Sequence, residues 1–145
     1  MWVDARPGML AIGEFIMPPI LRSILAVIAG FVAMSFVVIV LTLLSVKSMG
    51  LKGGPPTAGY LVVNVIFSFL AAAAGGFVTA LVAAVKPVEH AYVLACVMLV
   101  MGALSYARYR GTQPGWYQLV LVLVPPLCAI AGAAICTRTA RHHAA

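Results

Sequence analysis

Apolar residues fall in four long runs separated by short polar punctuation. The first, Ile24 to Val46, carries no charge at all; the second is Tyr60 to Val85 and the fourth is Trp116 to Cys136. The third, Ala91 to Ala107, is shorter, but Pro87 can open its helix one turn earlier, where the missing amide costs nothing. A membrane-crossing helix needs about 20 apolar residues to traverse about 30 Å of hydrocarbon. Backbone groups in lipid must bond within their own segment, so these runs read as helices. The alternation of period two expected of a barrel strand is missing. Between the runs, Gly50, Gly53, Gly54, Pro55 and Pro56 mark the first connection and Gly111 and Pro114 the third. The second connection, Lys86 to His90, is so tight that helices two and three are predicted to be antiparallel neighbours. The expected fold class is all-α: a polytopic membrane protein with four transmembrane helices in an antiparallel bundle. Its expected organisation is an N-terminal arm (1–19), a four-helix domain (20–138) and a short basic tail (139–145).

Composition supports the same solvent. Of 145 residues, 64% are hydrophobic and 8% charged, with a mean hydropathy of +1.13. Soluble domains carry about 25% charged residues, and no soluble fold has interior enough to hide this much apolar surface. The net charge of +6 is scattered between apolar runs, not clustered on one face as nucleic-acid binding requires. Nucleic acid is therefore excluded as a partner, and membrane lipids are expected. Cys96, Cys128 and Cys136 all lie inside apolar runs, where an odd number of thiols acts as small packing residues. The start of the chain lacks a basic n-region and contains Asp4 and Glu14, so it does not read as a secretory signal. Met17 offers an alternative start.

Four spans place both termini on one side. Arg6, Arg22, Lys86, Arg138 and Arg141 lie there, against Lys47, Lys52, Arg108 and Arg110 opposite. Five against four is a weak form of the positive-inside bias, and it leans towards cytoplasmic termini in a bacterial inner membrane. The aromatic residues are less even. Tyr60, Tyr106, Tyr109, Trp116 and Tyr117 lie on the side opposite the termini, which has no acidic residue. That side reads as an interfacial belt. A sharper reading makes it a lipid- or partner-docking rim built from Lys47, Lys52, Tyr60, Arg108, Tyr109, Arg110, Trp116 and Tyr117.

No catalytic motif is present, and no enzyme is expected. No Asp, Glu, Lys or Arg falls in mid-span, so the first-helix carboxylate on which small multidrug transporters depend is missing. Asn64 is predicted to bond across helices. Glu89 suits the first turn of helix three. The adjacent His90 is a candidate interfacial hydrogen-bonder or axial ligand to a haem or chlorophyll metal, although no cofactor can be named. Pro125-Pro126 removes two backbone donors and predicts a kink or crevice in helix four. Small residues, Gly75 and Gly76 on helix two and Gly132 on helix four, mark seams where helices approach closely. A faint echo between Pro56-Thr57-Ala58-Gly59-Tyr60 and Gln113-Pro114-Gly115-Trp116-Tyr117 hints at a repeated hairpin.

Taken together, Leu21-Arg22-Ser23-Ile24-Leu25, Pro55 to Tyr60, Gly75-Gly76, Pro87 with His90-Ala91, Gln113-Pro114 with Trp116-Tyr117, and Pro125-Pro126 resemble a group of small uncharacterised bacterial four-helix inner-membrane proteins. The resemblance spans residues 20 to 138. It implies topology and a bacterial inner membrane and carries no activity. The leading functional expectation is a non-catalytic accessory subunit of a larger membrane complex, respiratory or photosynthetic, packed by its small-residue seams against other membrane subunits. The alternatives are a small oligomeric transporter or channel, with Asn64, Ser68 and Thr79 lining a path, and a pigment-, quinone- or lipid-binding membrane protein.

Overall fold

A computed structural model describes residues 19–49, 57–83 and 85–142. The N-terminal arm, Lys52 and the glycine- and proline-rich first connection lie outside the described residues. Four helices follow one another: α1 (Pro19–Met49), α2 (Ala58–Ala83), α3 (Pro87–Arg108) and α4 (Gly115–His142). Each is long and apolar enough to cross a membrane, and no strand occurs among the described residues. This is an integral membrane protein built as an all-α, four-helix antiparallel bundle. At 31 residues, α1 extends beyond its expected run at both ends. By its rise it is about 46 Å long, more than a hydrocarbon core alone requires. The expected basic tail begins inside α4, which continues to His142. Its last residues, including His143, lie outside the described set.

Packing is not a symmetric ring. α2 occupies the middle, pressed against α1 on one flank and α4 on the other. α3 packs chiefly on α4, touches α2 and α1 more lightly, and leaves α1 and α4 apart. The expected neighbourhood of α2 and α3 exists, but it is secondary to these two flanks.

The adjacent pair Gly75-Gly76 explains why α2 is central. Successive helical residues point about 100° apart, so the pair offers a bare backbone to two neighbours at once. A Cβ on Gly75 would come within 2.8 Å of the Gly30 carbonyl oxygen of α1, and one on Gly76 would overlap the Ala129 carbonyl of α4. From the other side, a Cβ on Gly132 would overlap the Ala73 carbonyl of α2. In lipid no hydrophobic force joins helices, so dispersion at close approach has to hold them together. The seams read from the sequence therefore close this chain's own bundle. They are not free for another subunit.

The core fills the space beside these seams. Leu94 and Met98 of α3 meet Ala72 of α2 and Ala129 of α4, with Phe31 and Met34 of α1 packed against the group. Nearer the α2–α3 turn, Ala80, Ala91, Ala133 and Cys136 form a second buried cluster. α4 runs unbroken through Pro125 and Pro126, and both prolines are buried.

Candidate functional site

The α2–α3 turn builds the most developed site, at the end of the bundle that carries Lys86. Lys86 is the only non-glycine with positive φ among the described residues (φ 49°, ψ 52°). Pro87 follows at the first helical position and disfavours the right-handed α region for the residue before it. The left-handed conformation aims the Lys86 carbonyl into the first turn of α3. There it accepts from the Glu89 amide at 3.0 Å and from His90 Nδ1 at 3.1 Å. The Lys86 ammonium returns to the Glu89 carboxylate at 2.9 Å. Both side chains are well exposed, so this pair orients the turn and adds little stability.

The carbonyl partner fixes the tautomer of His90. A carbonyl only accepts, so Nδ1 carries the proton and Nε2 is left as the second, outward-facing nitrogen of the ring. Across from it, Arg22 near the start of α1 donates from Nε to the Val82 carbonyl of α2 at 3.3 Å. Val82 lies in the last turn of α2, where carbonyls lack helical partners and a cation complements the dipole. Arg22 thereby stands beside the gap between α1 and α3 and joins its lining.

That gap is a shallow lateral cleft open to its surroundings, with Ile24, Ile28 and Val93 on its walls each about half exposed. Its deeper part, about 390 Å³, is walled by Ile24, Val27 and Ile28 of α1 and Val93 of α3, with Ser23, Glu89 and His90 at its rim. A neighbouring space of about 490 Å³ shares Ser23, Glu89 and His90 and continues to Arg22 and Lys86. The result is a graded pocket, aliphatic below and charged above. Two cations and one carboxylate stand at its mouth. Among the described residues, no three His, Cys, Asp or Glu side chains gather into a metal-binding group.

At the Tyr109 end of the bundle the expected rim is only partly a rim. Lys47, Arg108, Tyr109, Arg110 and Trp116 are exposed, and Arg110 lies over the Tyr106 ring at 5.8 Å. Tyr60 is half-buried in the first turn of α2, where its amide reaches Thr57 Oγ1 at 3.3 Å. Tyr117 requires a correction. Expected to contact lipid or a partner, it is only 5% exposed and donates its hydroxyl to Asn64 Oδ1 at 2.7 Å. The physical reason is its position one residue after Trp116: their rings stand edge to face at 5.9 Å, so one turns out and the other turns in. Asn64 is thereby engaged between α2 and α4.

Sequence reasoning missed Gln118, which is buried and donates from Nε2 to the Tyr109 carbonyl at 2.8 Å. The same carbonyl accepts the Thr112 amide at 3.1 Å and the Thr112 hydroxyl at 2.7 Å. A lone glutamine at the start of an apolar run was the available signal. The hydroxyls expected along a transport path are spent locally: Ser68 donates to the Asn64 carbonyl and Thr79 to the Gly75 carbonyl, each on its own helix. No family model matches this chain, and neither a curated protein nor a solved structure matches it significantly.

Proposed function

We propose that this chain is a non-enzymatic membrane protein that holds an anionic bilayer amphiphile in the cleft between α1 and α3. The observation that carries the reading is the polarity gradient of that cleft. Ile24, Val27, Ile28 and Val93 offer an aliphatic wall for an acyl chain, while Arg22 and Lys86 outweigh Glu89 at the mouth. One excess positive charge suits a headgroup of single negative charge, and His90 Nε2 adds a hydrogen-bonding group beside it. A bacterial cytoplasmic membrane, with both termini on its inner side, is the setting proposed with it.

Native mass spectrometry of the protein released from mixed phospholipid micelles tests this. Val93→Trp fills the cleft and is expected to cut retained anionic phospholipid several-fold. Val97→Trp, one turn further along α3 and absent from the cleft wall, is expected to leave retention unchanged. Equal retention by both variants would overturn the reading.

A second reading, an accessory subunit of a larger assembly, draws on one specific feature: the exposed basic and aromatic rim of Arg108, Tyr109, Arg110 and Trp116. It calls for co-purification at fixed stoichiometry from native membrane in mild detergent. Recovery of the chain alone would remove it.

A further inference from the structure

On the opposite end of the bundle, α3 and α4 enclose a separate crevice of about 130 Å³. Its lining includes Ser105, Gln113 and Gln118, and also Leu121 and Val122. Those last two residues are the ones that Pro125 and Pro126 deprive. In an uninterrupted helix the amides of residues 125 and 126 would reach the carbonyls of 121 and 122, and proline has no amide hydrogen. Leu121 lies six residues past the start of α4, about 9 Å along its axis. Wherever hydrocarbon surrounds it, an unpartnered carbonyl costs several kcal/mol. Gly102, also in the lining, lays bare backbone against Val122, where a Cβ would come within 3.4 Å.

The lining limits what can bind. No carboxylate lines the crevice, and the Arg110 guanidinium stands over the Tyr106 ring that does line it, which disfavours a metal ion. Two freed carbonyls disfavour an anion. A neutral donor of hydrogen bonds satisfies both conditions. We propose that water occupies this crevice, entering from the Tyr109 end and hydrogen-bonding the carbonyls freed by the two prolines. The volume holds about four molecules at the liquid share of about 30 Å³ each. The crevice is blind. Deeper along α3, the inward-facing Met98 and Leu94 are packed into the core and separate it from the cleft at His90.

Thiol labelling tests the proposal, because the reactive species is a thiolate and forms only where water reaches. Leu121→Cys is made in a parent with Cys96, Cys128 and Cys136 replaced by alanine, in reconstituted vesicles. A charged, membrane-impermeant methanethiosulfonate is expected to modify it at least ten-fold faster than Leu119→Cys or Leu123→Cys. Those controls bracket Leu121 in depth and face outward, so depth alone cannot produce the difference. Equal rates at the three positions would overturn the proposal. A melting-temperature cycle needs no thiols and covers the case of a parent that fails to fold. Gly102→Val adds a side chain to the crevice lining and presses on Val122 in both backgrounds; it is expected to lower the melting temperature of the otherwise native chain by about 4 °C more than that of a Pro125→Ala/Pro126→Ala chain, whose restored amides need no water. Equal shifts in the two backgrounds would likewise overturn it.

Discussion

Replacing Gly76 with alanine sets two known effects against each other. Alanine is the better helix former, by about 0.8–1.0 kcal/mol in a helix interior. Were the α2–α4 seam loose, that gain would appear as added stability. The structure opposes it, because the new Cβ would overlap the Ala129 carbonyl oxygen. A backbone carbonyl cannot swing aside as a flexible side chain does, so the helices must separate. A radial gap of 0.5–1 Å forfeits a quarter to a half of each dispersion well. Over a seam with as many atom pairs as one buried leucine makes, the loss is about 2–3 kcal/mol. The net expectation is destabilisation by about 1–2 kcal/mol, within the usual range for overpacking. Reversible unfolding in mixed detergent micelles, followed by circular dichroism, reads the difference. Gly59→Ala is the internal control, since nothing lies within 4 Å of its Cβ. It is expected to be neutral or slightly stabilising. Gly132→Ala should resemble Gly76→Ala, and the double variant should cost less than the two added together, because one separation relieves both overlaps. A Gly76→Ala chain at least as stable as the parent would refute the close approach of α2 and α4.

Further outcomes follow from the hydrogen bonds and the left-handed turn. Tyr117→Phe and Asn64→Leu are expected to couple by about 0.6–1.7 kcal/mol in a double-mutant cycle of unfolding free energies, and a coupling of zero would deny that the two side chains bond. Lys86→Gly relieves the strain of a positive φ, worth about 1 kcal/mol, and loses only an exposed ion pair. It should therefore raise the melting temperature, whereas Lys86→Ala, which keeps the strain, should not.

The spans were legible because hydropathy over twenty residues is a strong signal, and the seams because glycine in an apolar helix has few other uses. Which helix sits in the middle was also written in the chain, in the adjacency of Gly75 and Gly76, although a stripe of small residues does not by itself name its two partners. The inward turn of Tyr117 was harder. In lipid both the inner and outer faces of a helix are apolar, so no polar stripe reports orientation, and an aromatic near a helix end looks the same in a belt or in a core. The cleft was invisible for another reason. Arg22 read as a topology marker, and Lys86, Glu89 and His90 read as a turn; only the packing of α1 beside α3 brings the four together.

The same packing bears on the two proposed functions. Only 11% of the most apolar stretch of α1 is buried, against 33% for α2 and for α4. In water such exposure would demand a partner. In a bilayer it does not, because lipid tails solvate Val32, Phe36 and Ile39 as well as a neighbouring helix would. The uncovered face of α1 is therefore no argument for a second subunit, and the glycine seams that would have supported one are consumed inside the bundle. The proposed lipid site rests instead on charge placed over an aliphatic groove. Arg22 is tied to the end of α2, and the Lys86 ammonium pairs with Glu89 beside the same groove. Under the proposed reading, that charge is what would favour a bound amphiphile over bulk lipid at this place on the surface.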